Sequence, residues 1–194
     1  MEEARQYSAL NNDVIPAKAG IHPPHRFLGM GREMDSRFRG NDDIGNDVMK
    51  LGRLNHIGIA TPSLEASLAY YRDIMGATLT HEPFDLPAQG VKVCFVDTPG
   101  EGGTAGTQIE LIEPLGENSP IHGFIAKNPA GGQHHMCYEV PDIMEAKAWF
   151  EGLGKKVLGE PRIGAHGTPI FFVHPKDMNG VLTEIMETPK DGAH

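Results

Sequence analysis

Positive charge is scarce in this chain: 17 Lys and Arg stand against 26 Asp and Glu over 194 residues, a formal net charge of −9 at pH 7. With a pI near 5.5, such a surface excludes non-specific binding to nucleic acid or to an anionic membrane. No apolar run approaches the ~18 residues that a spanning helix needs. The two cysteines, Cys94 and Cys137, are too few for a disulfide framework and fit a reducing, cytoplasmic compartment. Each lies in an apolar stretch, Val93-Cys94-Phe95 or Met136-Cys137-Tyr138, where a thiol acts as a small hydrophobe. The length admits one substantial domain or two small ones, enough for a real core.

Residues 1–48 lack the patterning of the rest. Scattered Pro, Gly, Arg and Asp, as in Ile15-Pro16-Ala17-Lys18-Ala19-Gly20, leave no period of 2 or 3.6. A compact apolar run with a cleavage site is missing, which argues against a secretory signal. Eight carboxylates against six Lys and Arg argue against a transit peptide. The phrases resemble a translated bacterial intergenic repeat, so this stretch is expected to be a disordered, non-native extension, with Met49 the biological start. A domain is expected over residues 49–190.

From Lys50 onward, order appears. Leu51 to Ala60 alternates like a strand. Ser63 to Met75 has helical spacing at Leu64, Leu68, Tyr71 and Met75, with Ser63 as N-cap and Gly76 past the end. Strands are predicted at Ala77–His81, Val91–Asp97 and Thr107–Ile112, and a short helix over Pro120–Lys127 capped by Ser119. The series then repeats: a strand over Gln133–Val140 and a helix over Asp142–Leu153, opened by a capping-box pair, Asp142 and Glu145. Short strands follow at Lys156–Leu158, Pro169–His174 and Val181–Met186. Two modules, about 51–115 and 131–188, each read strand, helix and three strands.

Superposing the modules lays Asn55-His56-Ile57-Gly58-Ile59-Ala60 on His134-His135-Met136-Cys137-Tyr138-Glu139, and Gln108-Ile109-Glu110-Leu111 on Leu182-Thr183-Glu184-Ile185. By strand period, His56 shares a face with Gly58 and Ala60, and His135 with Cys137 and Glu139. Glu110 and Glu184 likewise point away from their apolar neighbours. All four lie on faces not committed to the helices, and His134 is expected to point into the packing face or toward its neighbour strand. Two imidazoles and two carboxylates brought together would suit a divalent first-row metal. The plainer alternative is half-buried histidines and solvated glutamates.

These phrases, with Glu110-Leu111-Ile112-Glu113-Pro114-Leu115-Gly116, Asn128 to His135, Ile163-Gly164-Ala165-His166-Gly167 and His174-Pro175-Lys176-Asp177, resemble the vicinal oxygen chelate superfamily and, within it, the methylmalonyl-CoA epimerase family. The match runs from about Leu51 to Thr188. It implies an α+β fold of two tandem βαβββ modules forming a cupped mixed sheet around a metal. It implies His56, Glu110, His135 and Glu184 as ligands of Co, Mn, Ni or Zn, and an acyl-CoA as substrate. Related folds often pair, so a homodimer is compatible.

The implied reaction is epimerisation at carbon 2 of methylmalonyl-CoA, an isomerase step of propionate metabolism. It needs proton-transfer groups on both faces of a planar enolate. Val93 stands where some bacterial relatives carry a glutamate proposed as a base, which leaves the second base open; Glu110 and Glu184, related by the internal repeat, are expected to flank the intermediate and serve as the pair. His166 and Gly167 are expected to place the acyl end, unless His166 is a plain loop residue, and Lys176 to meet a CoA phosphate. His122 is assigned to the connecting helix, His174 to a turn, and Tyr70 and Tyr71 to packing. The rivals are a lactoylglutathione lyase, an extradiol-type dioxygenase, or a drug-sequestering protein of the bleomycin-resistance type.

Overall fold

Ser63 does what its place before an apolar helical stretch suggests: its side chain accepts a hydrogen bond from the Ala66 amide and starts helix α1 (Leu64–Asp73). Asp142 does the same for α3 (Ile143–Gly152), accepting from the amides of Met144 at 2.8 Å and Glu145 at 2.9 Å. A further amide of that first turn is capped from elsewhere in the fold, because Glu187 on the last strand accepts from the Ile143 amide. The computed structural model describes Met49 and residues 51–190. The expectation of a disordered, non-native extension over residues 1–48 falls outside the described residues.

Eight strands form one mixed sheet. They are β1 (Leu54–Ala60), β2 (Thr78–Leu86), β3 (Val91–Pro99), β4 (Ala105–Pro114), β5 (Gly132–Val140), β6 (Val157–Ile163), β7 (Pro169–Val173) and β8 (Thr183–Glu187). Their order across the sheet is β2-β3-β4-β1-β5-β8-β7-β6. Within each module the first strand lies parallel to the last, β1 on β4 and β5 on β8. The modules meet where β1 runs antiparallel to β5. That topology puts the four strands carrying His56, Glu110, His135 and Glu184 side by side at the centre.

One face of each half packs on a helix. Leu64 of α1 packs with Ala77, Cys94, Val96, Ile109 and Leu111; Ile143, Ala146 and Phe150 of α3 pack with Phe171, Val173 and Ile185. Alternation sends the intervening residues to the opposite face, where Val91, Val93, Phe95 and Ile112 form a third cluster, with Ala165 of the β6–β7 loop against it. Among the described residues, no helix is long and apolar enough to cross a membrane.

Several expectations change. Strands β2 and β6 run past His81 and Leu158, to Leu86 and Ile163, because pairing with β3 and β7 extends them through Pro83 and Pro161 with register shifts. Ser119 does not cap the connecting helix. That helix, α2 (His122–Lys127), starts after Ile121 without a side-chain cap, and the buried Ser119 hydroxyl has no hydrogen-bond partner among the described residues. Tyr71 packs from α1 against the cluster beneath the helix as expected, whereas Tyr70 is exposed and meets the Tyr71 ring edge-on. His174 shapes its turn by accepting from the Lys176 amide, and His122 holds the Gly116 carbonyl through Nε2.

Removing the α3 cap isolates its contribution. Asp142→Ala is expected to cost about 1 kcal/mol, read as a lower urea midpoint with an unchanged slope.

Candidate metal centre

The four central strands each deliver one chemically active side chain to a common point. His56 (β1) is 1% exposed, His135 (β5) 3%, Glu110 (β4) 6% and Glu184 (β8) 5%. One donor atom from each lies within 4.8 Å of all the others. His135 Nε2 sits 3.3 Å from His56 Nε2, and 3.2 Å from Oε2 of both Glu110 and Glu184. His56 Nε2 is 3.6 Å from Glu110 Oε2. Four donors around one tetrahedral ion at ~2.0–2.1 Å stand roughly 3.3–3.4 Å apart, so the observed spacing fits a divalent cation.

Charge leads to the same conclusion. Two buried carboxylates need compensating positive charge, yet among the described residues their only ion-pair partners are the two imidazoles. Without an ion, a proton takes that place. Burial works against a charged His135, but its hydrogen bonds to Glu110 and Glu184 hold its pKa up at about 10. Burial likewise works against ionised Glu110, and the hydrogen bond from His135 nonetheless keeps its carboxyl well below the usual carboxylate range. A single N–H on His135 Nε2 cannot serve three neighbours at 3.2–3.3 Å. A cation among them can.

The register explains a glycine. Gly58 pairs with Glu110 on one side and His135 on the other, and the His135 ring lies across it. A Cβ at Gly58 would fall 2.1 Å from Cε1 and 2.5 Å from Nε2 of that ring. The equivalent position in the other module is Cys137, which pairs with Glu184 and His56. Burial, then the charge of Glu184, raises its thiol pKa, so it stays protonated. Cys94 is raised by burial to about 11.

His134 departs from its expected orientation. It is the extra residue of a β-bulge, between Gly58↔His135 and Ile59↔Gln133. The bulge turns it to the site, where its Nδ1 lies 3.0 Å from His135 Nδ1 and it lines the cavity. Burial and the neighbouring His135 charge lower its pKa to about 4. Asn55 is the matching bulge residue in β1, between Leu54↔Tyr138 and His56↔Cys137. Strict alternation hides both.

A cavity of about 290 Å³ opens on the cluster, with Glu110, His135 and Glu184 in its wall together with Val91, Ile112, Ile170 and Phe172. Among the described residues, Arg162 is the single Lys or Arg lining it, and it lies over the Phe172 ring at 5.5 Å. Composition alone could not single out that arginine. His166 reaches across from the β6–β7 loop, stacks on His56 at 5.2 Å and bonds Gln108 Oε1 through Nε2 at 2.7 Å. Burial, then His56, lowers its pKa to about 4. Gly167 takes a left-handed φ of 77° at the tip of the same loop. Lys176 is exposed on the turn before β8 and is not among the cavity-lining residues. Val93 is fully buried beneath the cavity wall.

Residues 55–172 match the family model of the glyoxalase/bleomycin resistance protein/dioxygenase superfamily. The chain is 53% identical over 137 residues to the ethylmalonyl-CoA/methylmalonyl-CoA epimerase of Cereibacter sphaeroides, covering 70% of this chain and 97% of the relative. It is 46% identical to the human mitochondrial methylmalonyl-CoA epimerase, covering 74% of this chain and 78% of that one. A Streptomyces coelicolor methylmalonyl-CoA epimerase variant, in complex with 2-nitronate-propionyl-CoA, superposes with a TM-score of 0.64 at 35% identity, over 72% of this chain and 99% of that one.

Two measurements test the centre. His135 has a folded pKa raised above the ordinary 6.5, so its contribution to stability is complete below pH 6.5 and is lost as pH rises to about 10. The metal-free protein is therefore expected to show a falling denaturation midpoint between pH 6.5 and 10, and a saturating divalent ion should flatten that fall. Gly58→Ala should push the His135 ring aside, costing about 1–3 kcal/mol and weakening Co²⁺ binding in a competition titration.

Proposed function

The chain belongs to the glyoxalase/bleomycin resistance protein/dioxygenase superfamily, and we propose that it is an isomerase interconverting the (R) and (S) forms of methylmalonyl-CoA. The observation that carries this reading is the convergence of two buried imidazoles and two buried carboxylates at one point, with His135, Glu110 and Glu184 in the wall of one cavity. Its relatives at 46–53% identity are epimerases of that substrate class.

The proton on carbon 2 lies between a thioester and a carboxylate, and its removal puts negative charge on the thioester oxygen. A divalent cation held by His56, Glu110, His135 and Glu184 would supply Lewis-acid stabilisation of that charge. Glu110 and Glu184 come from β4 and β8, on either side of the β1–β5 pair. One carboxylate takes the carbon-2 proton from one face of the substrate and leaves a planar enolate. The other glutamate, held as its acid, gives a proton to the opposite face, so carbon 2 inverts while the two glutamates exchange protonation states, and proton exchange with solvent resets the pair. With valine at position 93, these are the acids that line the cavity.

The remaining wall suits a CoA thioester. Apolar Val91, Ile112, Ile121, Leu158, Ile170 and Phe172 keep water from the reacting carbon. Arg162 sits where the inner cavity joins an outer groove along Pro87–Gly90 and Leu115–Asn118. It offers positive charge to the anionic part of the substrate. His166, locked to Gln108 and stacked on His56, orients the acyl end. The metal is one of Co, Mn, Ni or Zn, all compatible with an N2O2 donor set. The fourth ligand at Glu110 counts against an extradiol dioxygenase, which needs open positions beside two histidines and one carboxylate. Buried, unpaired Cys94 and Cys137 support a cytoplasmic enzyme.

Deuterium wash-in at carbon 2 of methylmalonyl-CoA should be rapid with metal and abolished by chelator. Glu110→Gln and Glu184→Gln should each slow it by about 10²-fold or more. Full turnover in either variant with metal bound would remove that glutamate from the proton-transfer pair.

A further inference from the structure

A hydrogen-bonded chain behind His56 selects which of its nitrogens carries the proton. Glu139 is 5% exposed, and its Oε1 accepts from Arg53 Nε at 2.8 Å and from Asn55 Nδ2 at 2.7 Å. A carboxylate only accepts, so Asn55 must turn its amide nitrogen toward Glu139 and its carbonyl oxygen the other way. That oxygen, Asn55 Oδ1, lies 2.8 Å from His56 Nδ1. An amide oxygen accepts as well, so His56 Nδ1 has to be the N–H donor. The neutral ring then has a lone pair on Nε2, the atom that faces His135 and Glu110.

We infer that Asn55 and Glu139 are positioning residues that lock His56 as the Nδ1–H tautomer and so present Nε2 as a ready metal ligand. This rests on the metal reading above. The β1 bulge is what makes it work, because it turns Asn55 toward the ring of the residue that follows it. The other module repeats the bulge but not the lock. His134 stands where Asn55 does and meets His135 Nδ1 at 3.0 Å, yet the position matching Glu139 is Ala60, which accepts nothing through its side chain. An imidazole can donate or accept at Nδ1, so His134 imposes no single tautomer on its neighbour. The centre thus has one pre-set histidine and one adaptable histidine.

Two readouts other than turnover test the inference. In the metal-free protein, long-range ¹H–¹⁵N correlation of the His56 ring should show the Nδ1–H form; finding Nε2–H would overturn the inference whatever the variants do. Co²⁺ affinity, by competition with a chromophoric chelator, should drop about 10–100-fold in Asn55→Leu and in Glu139→Leu. Glu139→Gln keeps an acceptor oxygen for Asn55 and should bind like the unaltered protein, which a loss caused by charge alone would not allow. Unaltered affinity in both leucine variants would overturn the positioning role and leave the metal reading standing. Failure of the unaltered protein to bind any divalent ion would overturn both.

Discussion

Two carboxylates buried in a sheet, whose ion-pair partners among the described residues are two imidazoles, are the constraint around which the rest of this protein is arranged. Ionised and unpaired, each would carry a desolvation penalty of several kcal/mol. The sheet answers by placing β1 and β5 between β4 and β8, so that both histidines stand between the glutamates. A proton on His135 meets part of the demand, and a divalent cation would meet it for four donors at once. The helices lie on the far face, so apolar burial under α1 and α3 stabilises the fold without using the strand positions that serve the site.

Duplication makes this arrangement economical but does not make it symmetric. Matching strands supply matching ligands, and matching bulges re-aim Asn55 and His134. The halves then diverge in small side chains. Gly58 gives the His135 ring room that a Cβ would deny it, whereas Cys137 fills the corresponding place. Glu139 orients the partner of His56, whereas Ala60 leaves the partner of His135 unoriented. An enzyme that must treat two faces of one carbon with two related carboxylates has reason to build them from one repeated unit.

The family brings the substrate, and the cavity brings the reasons it fits: a mostly apolar wall, a charged cluster at one end and one arginine toward the outside. Valine at position 93 lies under that wall and can move no proton. The glutamates proposed to hold a metal would then also be the acids nearest the reacting carbon.

Much of this was legible before any coordinates. Strand and helix periods, the Ser63 and Asp142 caps and the internal repeat depend on neighbours a few residues away, and those neighbours are in the sequence. His56, Glu110, His135 and Glu184 could be named because a period of two and a duplicated pattern point equivalent residues the same way. What the sequence could not carry was anything set by register between strands distant in the chain. The bulges at Asn55 and His134 arise only when β1 and β5 pair, and they reverse the direction that alternation assigns. The need for glycine at position 58 exists only because His135 lies across it, and Arg162 joins the site only once β6 pairs with β7 and reaches the cavity. Local order followed from composition and period; the distances between donors, and the proton position they impose on His56, were decided by tertiary pairing.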